Sequence, residues 1–171
     1  MAIYRTPRKI ETYKLKAPAL VLIPLFALAI QAYLPLYWSS ARLLDLPLVV
    51  LIYYGLTRRS PIYAMLAGAI IGIAQDSLTG GAIGLFGSSK TVIGYVAHGL
   101  SSLLDTDGFR VRMIIIFFFY MFQTVLIYSL GTFVLGQSNY LYIVRSVFGG
   151  LVNAVIGVLL YRVLDQIRKP A

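Results

Sequence analysis

The sequence predicts an all-α fold, a polytopic helical bundle that crosses a membrane six times. The first observation is composition: 59% of residues are apolar, 12% are charged and the mean hydropathy is +0.82. A soluble domain is about one quarter charged, so this composition excludes a soluble enzyme, and its apolar content excludes disorder. The second is length, since 171 residues hold about six spans of roughly 20 residues, two tails and short loops. The third is that basic residues bound the apolar runs.

The first three predicted spans are recognised by what ends or begins them. The first ends in an aromatic cluster of Tyr33, Tyr37 and Trp38, which is typical of the headgroup level. Two arginines stop the second, and Pro61 opens the third, because the first helical position does not need an N–H. These spans cover residues 17–37, 43–56 and 61–76.

The last three predicted spans follow a glycine-rich stretch at 77–87. The fourth ends near Leu104, and the fifth, 111–135, carries three isoleucines and three phenylalanines at 114–119. The sixth covers 141–164 and is followed by basic residues. We therefore expect one transmembrane domain, 1–171, with a basic tail at 1–16 and a second tail at 165–171.

Positive charge predicts the orientation of the bundle. Both termini are expected in the cytoplasm, because twelve of the fifteen basic residues are assigned to the two tails and to the second and fourth loops, which lie on one side of six spans. The net charge is +9, and we expect the basic residues to bind anionic lipid at the cytoplasmic face of the membrane. We do not expect nucleic acid as a partner. The twelve are Arg5, Arg8, Lys9, Lys14, Lys16, Arg58, Arg59, Arg110, Arg112, Arg162, Arg168 and Lys169; Arg42, Lys90 and Arg145 are the exceptions.

Small residues form a ladder on the third span. Ala64, Gly68 and Gly72 are four apart, so they share one helix face and permit close approach of another helix. Packing between this chain's own helices is the favoured interpretation, and contact with a partner protein is the alternative. Gln31, Gln123 and Asn153 lie within apolar runs, and we expect them to form hydrogen bonds between helices.

The segment from Gln75 to Gly87 is the most unusual stretch. Gly80, Gly81 and Gly84 permit an irregular path, which survives at membrane depth only where protein buries it. Asp76 and Lys90 flank this segment, and an intramembrane ion pair between them would reduce the cost of both charges. The alternative is that Asp76 ends a helix at the interface while Lys90 reaches water.

Catalytic and metal-binding patterns are weak. The run Ser88-Ser89-Lys90 has the residue types of a serine–lysine nucleophile, and Asp105-Thr106-Asp107 has those of a divalent-cation site, but packing and capping explain both more simply. His98 is the single histidine, and there is no cysteine. We therefore expect no catalytic residue, no metal and no cofactor.

The middle of the chain contains an ordered set of aspartates, arginines and glycines that is typical of a known protein family. The residues that carry it are, in order, Asp45-Leu46-Pro47-Leu48, Arg58-Arg59, Gly68, Gly72, Asp76, Gly80-Gly81, Gly84 and Gly94-Tyr95. This order resembles the rod shape-determining protein MreD family. The resemblance covers residues 45–95, and the hydropathy profile extends it over the chain.

The resemblance implies a non-enzymatic adaptor in the bacterial inner membrane. It would bind MreC and help couple MreB filaments to peptidoglycan synthases during cell elongation. It also implies a fold similar to the substrate-binding subunits of energy-coupling-factor transporters. The competing hypotheses are a vitamin-binding subunit of such a transporter and, third, an intramembrane hydrolase or sugar transferase. The hypothesised partner-binding or structural residues are Gly68, Gly72, Asp76, Gly80, Gly81 and Gly84.

Overall fold

The computed structural model describes residues 13–14, 17–57, 60–80, 82–103, 108–134, 136, 143–167 and 169–170. Helices form nearly all of this part of the chain, which confirms the expected all-α class. They are α1 Ala17–Tyr37, the short 3₁₀-helix η1 Ser39–Leu43, α2 Leu46–Thr57, α3 Pro61–Thr79, α4 Leu85–Ser101, α5 Phe109–Phe133 and α6 Ile143–Ile167. Two-residue strands, β1 Tyr13–Lys14 and β2 Lys169–Pro170, pair antiparallel.

Five helices are long and apolar enough to span a membrane: α1, the combined stretch Ser39–Thr57, α3, α5 and α6. The chain is therefore a multi-pass membrane protein by length and composition. With 17 residues, α4 is shorter than these five. It is nevertheless packed inside the bundle, because Ile93 and Ala97 are fully buried.

Contacts between helices define an up-and-down bundle. Gly72 of α3 lies against Phe86 of α4, and Gly94 of α4 lies against Ala64, so α3 and α4 form an antiparallel hairpin. The helices α2 and α6 run parallel, because Asp45 meets Asn153 and Tyr53 meets Asp165. The helices α2 and α4 are also parallel, because Asp45 meets Lys90 and Gly55 meets Ala97. The carboxyl ends of α1, α3 and α5 consequently share one end of the bundle, here called the loop end. The carboxyl ends of α2, α4 and α6 share the other, here called the terminal end.

The helix α2 is the centre of the bundle, and its residues from Pro47 to Gly55 are all buried. Its two faces belong to two apolar clusters. One joins Val49, Val50 and Tyr53 to α6 and α1, and the other joins Leu48, Leu51 and Ile52 to α4 and α5. A helix that is apolar on all sides is expected to be enclosed by others.

The second span differs from its prediction because it is discontinuous. Instead of one helix over 43–56, η1 and α2 are separated by Leu44 and Asp45. The glycine-rich stretch also differs: α3 continues to Thr79 and α4 begins at Leu85, so the long irregular path expected over 77–87 is reduced to a short turn. Gly80 (φ 65°) and Gly84 (φ 104°) have left-handed backbone in this turn, which glycine adopts without steric cost.

Candidate functional site

The break between η1 and α2 exposes backbone groups that two amide side chains satisfy. Gln31 of α1 donates to the carbonyl of Leu44 (2.7 Å) and accepts from the N–H of Leu46 (3.3 Å). Asn153 of α6 donates to the carbonyl of Leu43 (2.7 Å) and accepts from the N–H of Asp45 (2.8 Å). An unpaired backbone group within a membrane is costly, so these amides make the break possible.

The carboxylate of Asp45 is the centre of the polar network at this break. Its Oδ1 accepts from the N–H of Leu48 (2.9 Å), which caps the first turn of α2. Lys90 Nζ lies 3.0 Å from Oδ1 and 2.9 Å from Oδ2. Gln123 Nε2 donates to Oδ2 (2.6 Å), while its Oε1 accepts from Lys90 Nζ (2.9 Å). Asp45, Lys90 and Gln123 therefore form a closed triangle of hydrogen bonds.

The network lies deep in the bundle. The Lys90 side chain has no solvent exposure and that of Asp45 has 7%. Both partner positions, Gln123 and Asn153, are near the middle of the long helices α5 and α6. A single charge at such a depth is energetically costly, whereas an ion pair of zero net charge is tolerated when both of its members are fully hydrogen-bonded. The arrangement therefore ties α1, α2, α4, α5 and α6 together at one level.

Lys90 does not pair with Asp76, so the predicted ion pair is wrong. The Asp76 carboxylate instead accepts from the backbone N–H groups of Gly84 (2.8 Å), Phe86 (3.0 Å) and Gly87 (3.1 Å). These are the free donors at the start of α4, where the helix dipole favours a negative charge. Asp76 is buried and caps the neighbouring helix across the turn. Lys90, whose side chain has no solvent exposure, does not reach water either.

The glycine ladder is a contact between α3 and α4. A side chain at Gly68 would collide with the carbonyl of Lys90, and one at Gly72 with the carbonyl of Phe86. Both glycines are buried, so their expected internal packing is confirmed and their face is covered by this chain. Gly94, which makes the reciprocal contact with Ala64, also belongs to the ladder. Gly81 lies outside the described residues.

A second polar cluster lies toward the terminal end. Arg112 of α5 donates to Asp165 Oδ2 (2.6 Å), and the hydroxyl of Tyr53 donates to Asp165 Oδ1 (3.0 Å). Tyr161 donates to the carbonyl of Val49 (3.1 Å), and Arg112 lies over its ring. Arg112, which the sequence places among the loop charges, is thus 9% exposed. The cluster binds α2, α5 and α6 at a second level.

The weaker chemical patterns do not assemble in the described residues. Ser88 and Ser89 donate to backbone carbonyls one turn earlier, so neither hydroxyl bonds to Lys90. No group of three or more metal-ligating His, Cys, Asp or Glu side chains occurs in the part of the chain that the structure describes. The segment Asp105-Thr106-Asp107 lies outside it. Buried polar atoms without a described partner are Gln75 Oε1, His98 Nδ1 and Thr132 Oγ1.

The sequence did not identify Asp45 as the partner of Lys90. A signal was present, because an aspartate and a lysine that both lie within apolar runs are each costly at membrane depth and stabilise each other when paired. Gln31, Gln123 and Asn153 form hydrogen bonds between helices as expected. In comparisons with known proteins, no family model, no curated protein and no solved structure matches the chain.

Proposed function

We propose that the chain is a non-enzymatic membrane adaptor of the bacterial cell-elongation machinery. It binds MreC and helps couple MreB filaments to peptidoglycan synthases, which maintains rod shape. One observation carries the proposal: the residues with family resemblance occupy framework positions. Asp45 caps α2 and pairs with Lys90. Gly68, Gly72 and Gly94 permit the close α3–α4 contact, and Asp76 caps α4.

The use of buried charge supports docking rather than chemistry. Asp45, Lys90 and Asp76 each form several hydrogen bonds within the chain. A catalytic group needs a substrate within reach, whereas these groups are occupied in holding helices together. An adaptor requires a stable bundle with an accessible surface, and this arrangement provides the bundle.

The proposed location is the bacterial inner membrane, with six spans and both termini in the cytoplasm. α4 is then the fourth span along the chain and brings the total to six, and its 17 residues are accommodated by modest thinning of the bilayer. Arg110 and Arg162 support this orientation, because both are exposed near the terminal end. They would contact anionic lipid at the cytoplasmic face.

The tip of the α3–α4 hairpin is the proposed contact with MreC. The Gly68/Gly72 face is covered, but Leu78, Thr79 and Ile83 are exposed beside the capped turn. In the proposed orientation this tip faces the periplasm. Leu78 and Ile83 offer apolar surface on a turn whose shape Asp76 holds, which suits recognition by another protein.

Co-purification with MreC tests the proposal. Ile83→Ser in the hairpin tip is expected to reduce recovery of MreC with the tagged chain at unchanged membrane level. Leu103→Ser is the matched control, because Leu103 is similarly exposed (79% against 78%) at the opposite end of the bundle. Equal recovery with both variants would reject the tip as the contact, and no recovery with the parent chain would reject the adaptor.

The alternative is a vitamin-binding subunit of an energy-coupling-factor transporter. The observation that favours it is Gln75, which is 3% exposed and whose Oε1 has no described donor. Such an atom is suited to orient a small ligand. Mass spectrometry of the purified chain decides: a stoichiometric vitamin that is lost in Gln75→Leu would replace the adaptor proposal with this one.

A further inference from the structure

The α3–α4 hairpin is a unit with strong internal contacts. Gly68 and Gly72 bring the two backbones together, and Gly94 repeats this contact from the other helix. Asp76 adds three hydrogen bonds from α3 to the start of α4. Close backbone packing and hydrogen bonds are the interactions that join helices in a membrane.

The hairpin is joined to the other helices in a different way. Among the described residues, Lys90 makes all the side-chain hydrogen bonds that connect the hairpin to another helix: two to Asp45 and one to Gln123. The other described contacts with α2 are apolar side chains and one close approach at Gly55, which lies beside the backbone of Gly94 and His98. Ile93 and Ala97 pack against Leu48 and neighbouring residues of α2, and Gly55 lies against Ala97.

The surrounding helices have polar connections of their own. Asn153 joins α6 to the break before α2, and Gln123 joins α5 to Asp45. Arg112 and Tyr53 both bond to Asp165, which fastens α5, α2 and α6 at the second level. These three helices are therefore fixed to one another without the hairpin.

This asymmetry has a consequence inside a bilayer. Apolar contacts between helices gain little from the hydrophobic effect in lipid and depend on close packing, whereas lipid chains offer no partner at all to a buried charge. The hydrogen bonds of Lys90 therefore contribute more to the attachment of the hairpin to the other helices than the small size of this contact suggests. Separating the pair would leave both Asp45 and Lys90 charged and unpaired.

We propose that Lys90 is a latch that docks a movable α3–α4 hairpin onto the frame of α2, α5 and α6. With the latch closed, the hairpin has one position against α2. With both charges removed, the hairpin stays folded but occupies a second, displaced position. A partner that binds the two positions with different affinity would shift the population between them. This inference concerns the fold and does not rest on the proposed adaptor role.

Distances between spin labels on the full-length chain test the latch. The chain has no cysteine, so labels can be attached at two introduced cysteines. Ile70 and Leu159 are exposed on α3 and α6, and report the hairpin against the frame. Phe118 and Leu159 are exposed on α5 and α6, and report the frame alone. Both pairs are measured in lipid nanodiscs in the parent and in Asp45→Asn/Lys90→Met.

We expect the parent to give one distance for each pair. The double variant should add a longer distance for Ile70–Leu159 and leave Phe118–Leu159 unchanged. An unchanged Ile70–Leu159 distance overturns the latch, and an equal change in both pairs overturns the movable hairpin. Lys90→Arg preserves the charge and is expected to keep the single distance; a displaced position in Lys90→Arg would also overturn the proposal. If the double variant is not recovered as a folded protein, the separable frame is rejected.

Discussion

Lys90 Nζ lies 3.0 and 2.9 Å from the two carboxylate oxygens of Asp45, a residue forty-five positions earlier in the chain. The relationship joins the start of α2 to the second turn of α4. It also explains why α2 can begin inside the bundle, since the same carboxylate caps its first turn through Leu48. Asp45 thus caps the helix that begins after the break and also neutralises a buried cation.

The close approach between α3 and α4 predicts that alanine is destabilising at Gly72 but not at Gly99. Gly72→Ala should destabilise the protein, because the new methyl group would collide with the carbonyl of Phe86. The free energy of unfolding, measured by SDS titration in mixed micelles, should fall by about 1–3 kcal/mol. Gly99 is the control, since a side chain there meets no atom within 4 Å. Gly99→Ala should be neutral or stabilising; an equal loss in both variants would contradict this packing.

The cap on α4 predicts the effect of changes at Asp76. Asp76→Ala removes the acceptor of three backbone N–H groups. We expect the free energy of unfolding to fall by about 1–3 kcal/mol, the cost of leaving buried donors unpaired. Asp76→Asn retains one acceptor oxygen and should lose less. The neighbouring Ser77→Ala removes an exposed hydroxyl that bonds within α3 and should have little effect. Comparable losses for Asp76→Ala and Ser77→Ala would contradict the cap.

The helix break predicts that Asn153 is needed for folding. Asn153→Leu would leave the N–H of Asp45 and the carbonyl of Leu43 without this side chain. The expected result is a fall of about 2–5 kcal/mol in the free energy of unfolding, because two backbone groups lose their partners. Thr124→Val is the control, since this hydroxyl bonds only to Tyr120 of its own helix. A tolerated Asn153→Leu would show that the break does not depend on the amide.

The sequence predicted the helical class and the membrane character well, because both follow from composition and the length of the apolar runs. It also predicted that Gly68 and Gly72 pack internally, since residues four apart share a face. These are local properties, and the pattern that carries them is contiguous. The expected six-span count and orientation stay predictions.

The sequence could not predict the partner of Lys90. Asp76 was the nearest acid along the chain beyond the glycine-rich stretch, whereas pairing inside a bundle depends on which helices are neighbours. Because α2 and α4 run parallel and adjacent, Asp45 is nearer in space. The sequence also contained no sign of the break between η1 and α2, because the residues from Leu43 to Leu48 are apolar apart from Asp45. Its stability comes from Gln31 and Asn153 on distant segments, which no local pattern reveals.

A double-mutant cycle at Asp45 and Lys90 tests the central relationship most directly. Asp45→Asn and Lys90→Met each leave an unpaired buried charge, so each should lower the free energy of unfolding by about 3–5 kcal/mol. The combined variant removes both charges and should be more stable than either single variant. The same cycle with Asp76→Asn and Lys90→Met should give a clearly smaller coupling energy, because the Asp76 carboxylate bonds to backbone N–H groups of α4 and not to Lys90. Additivity for Asp45, or strong coupling for Asp76, would contradict the pairing.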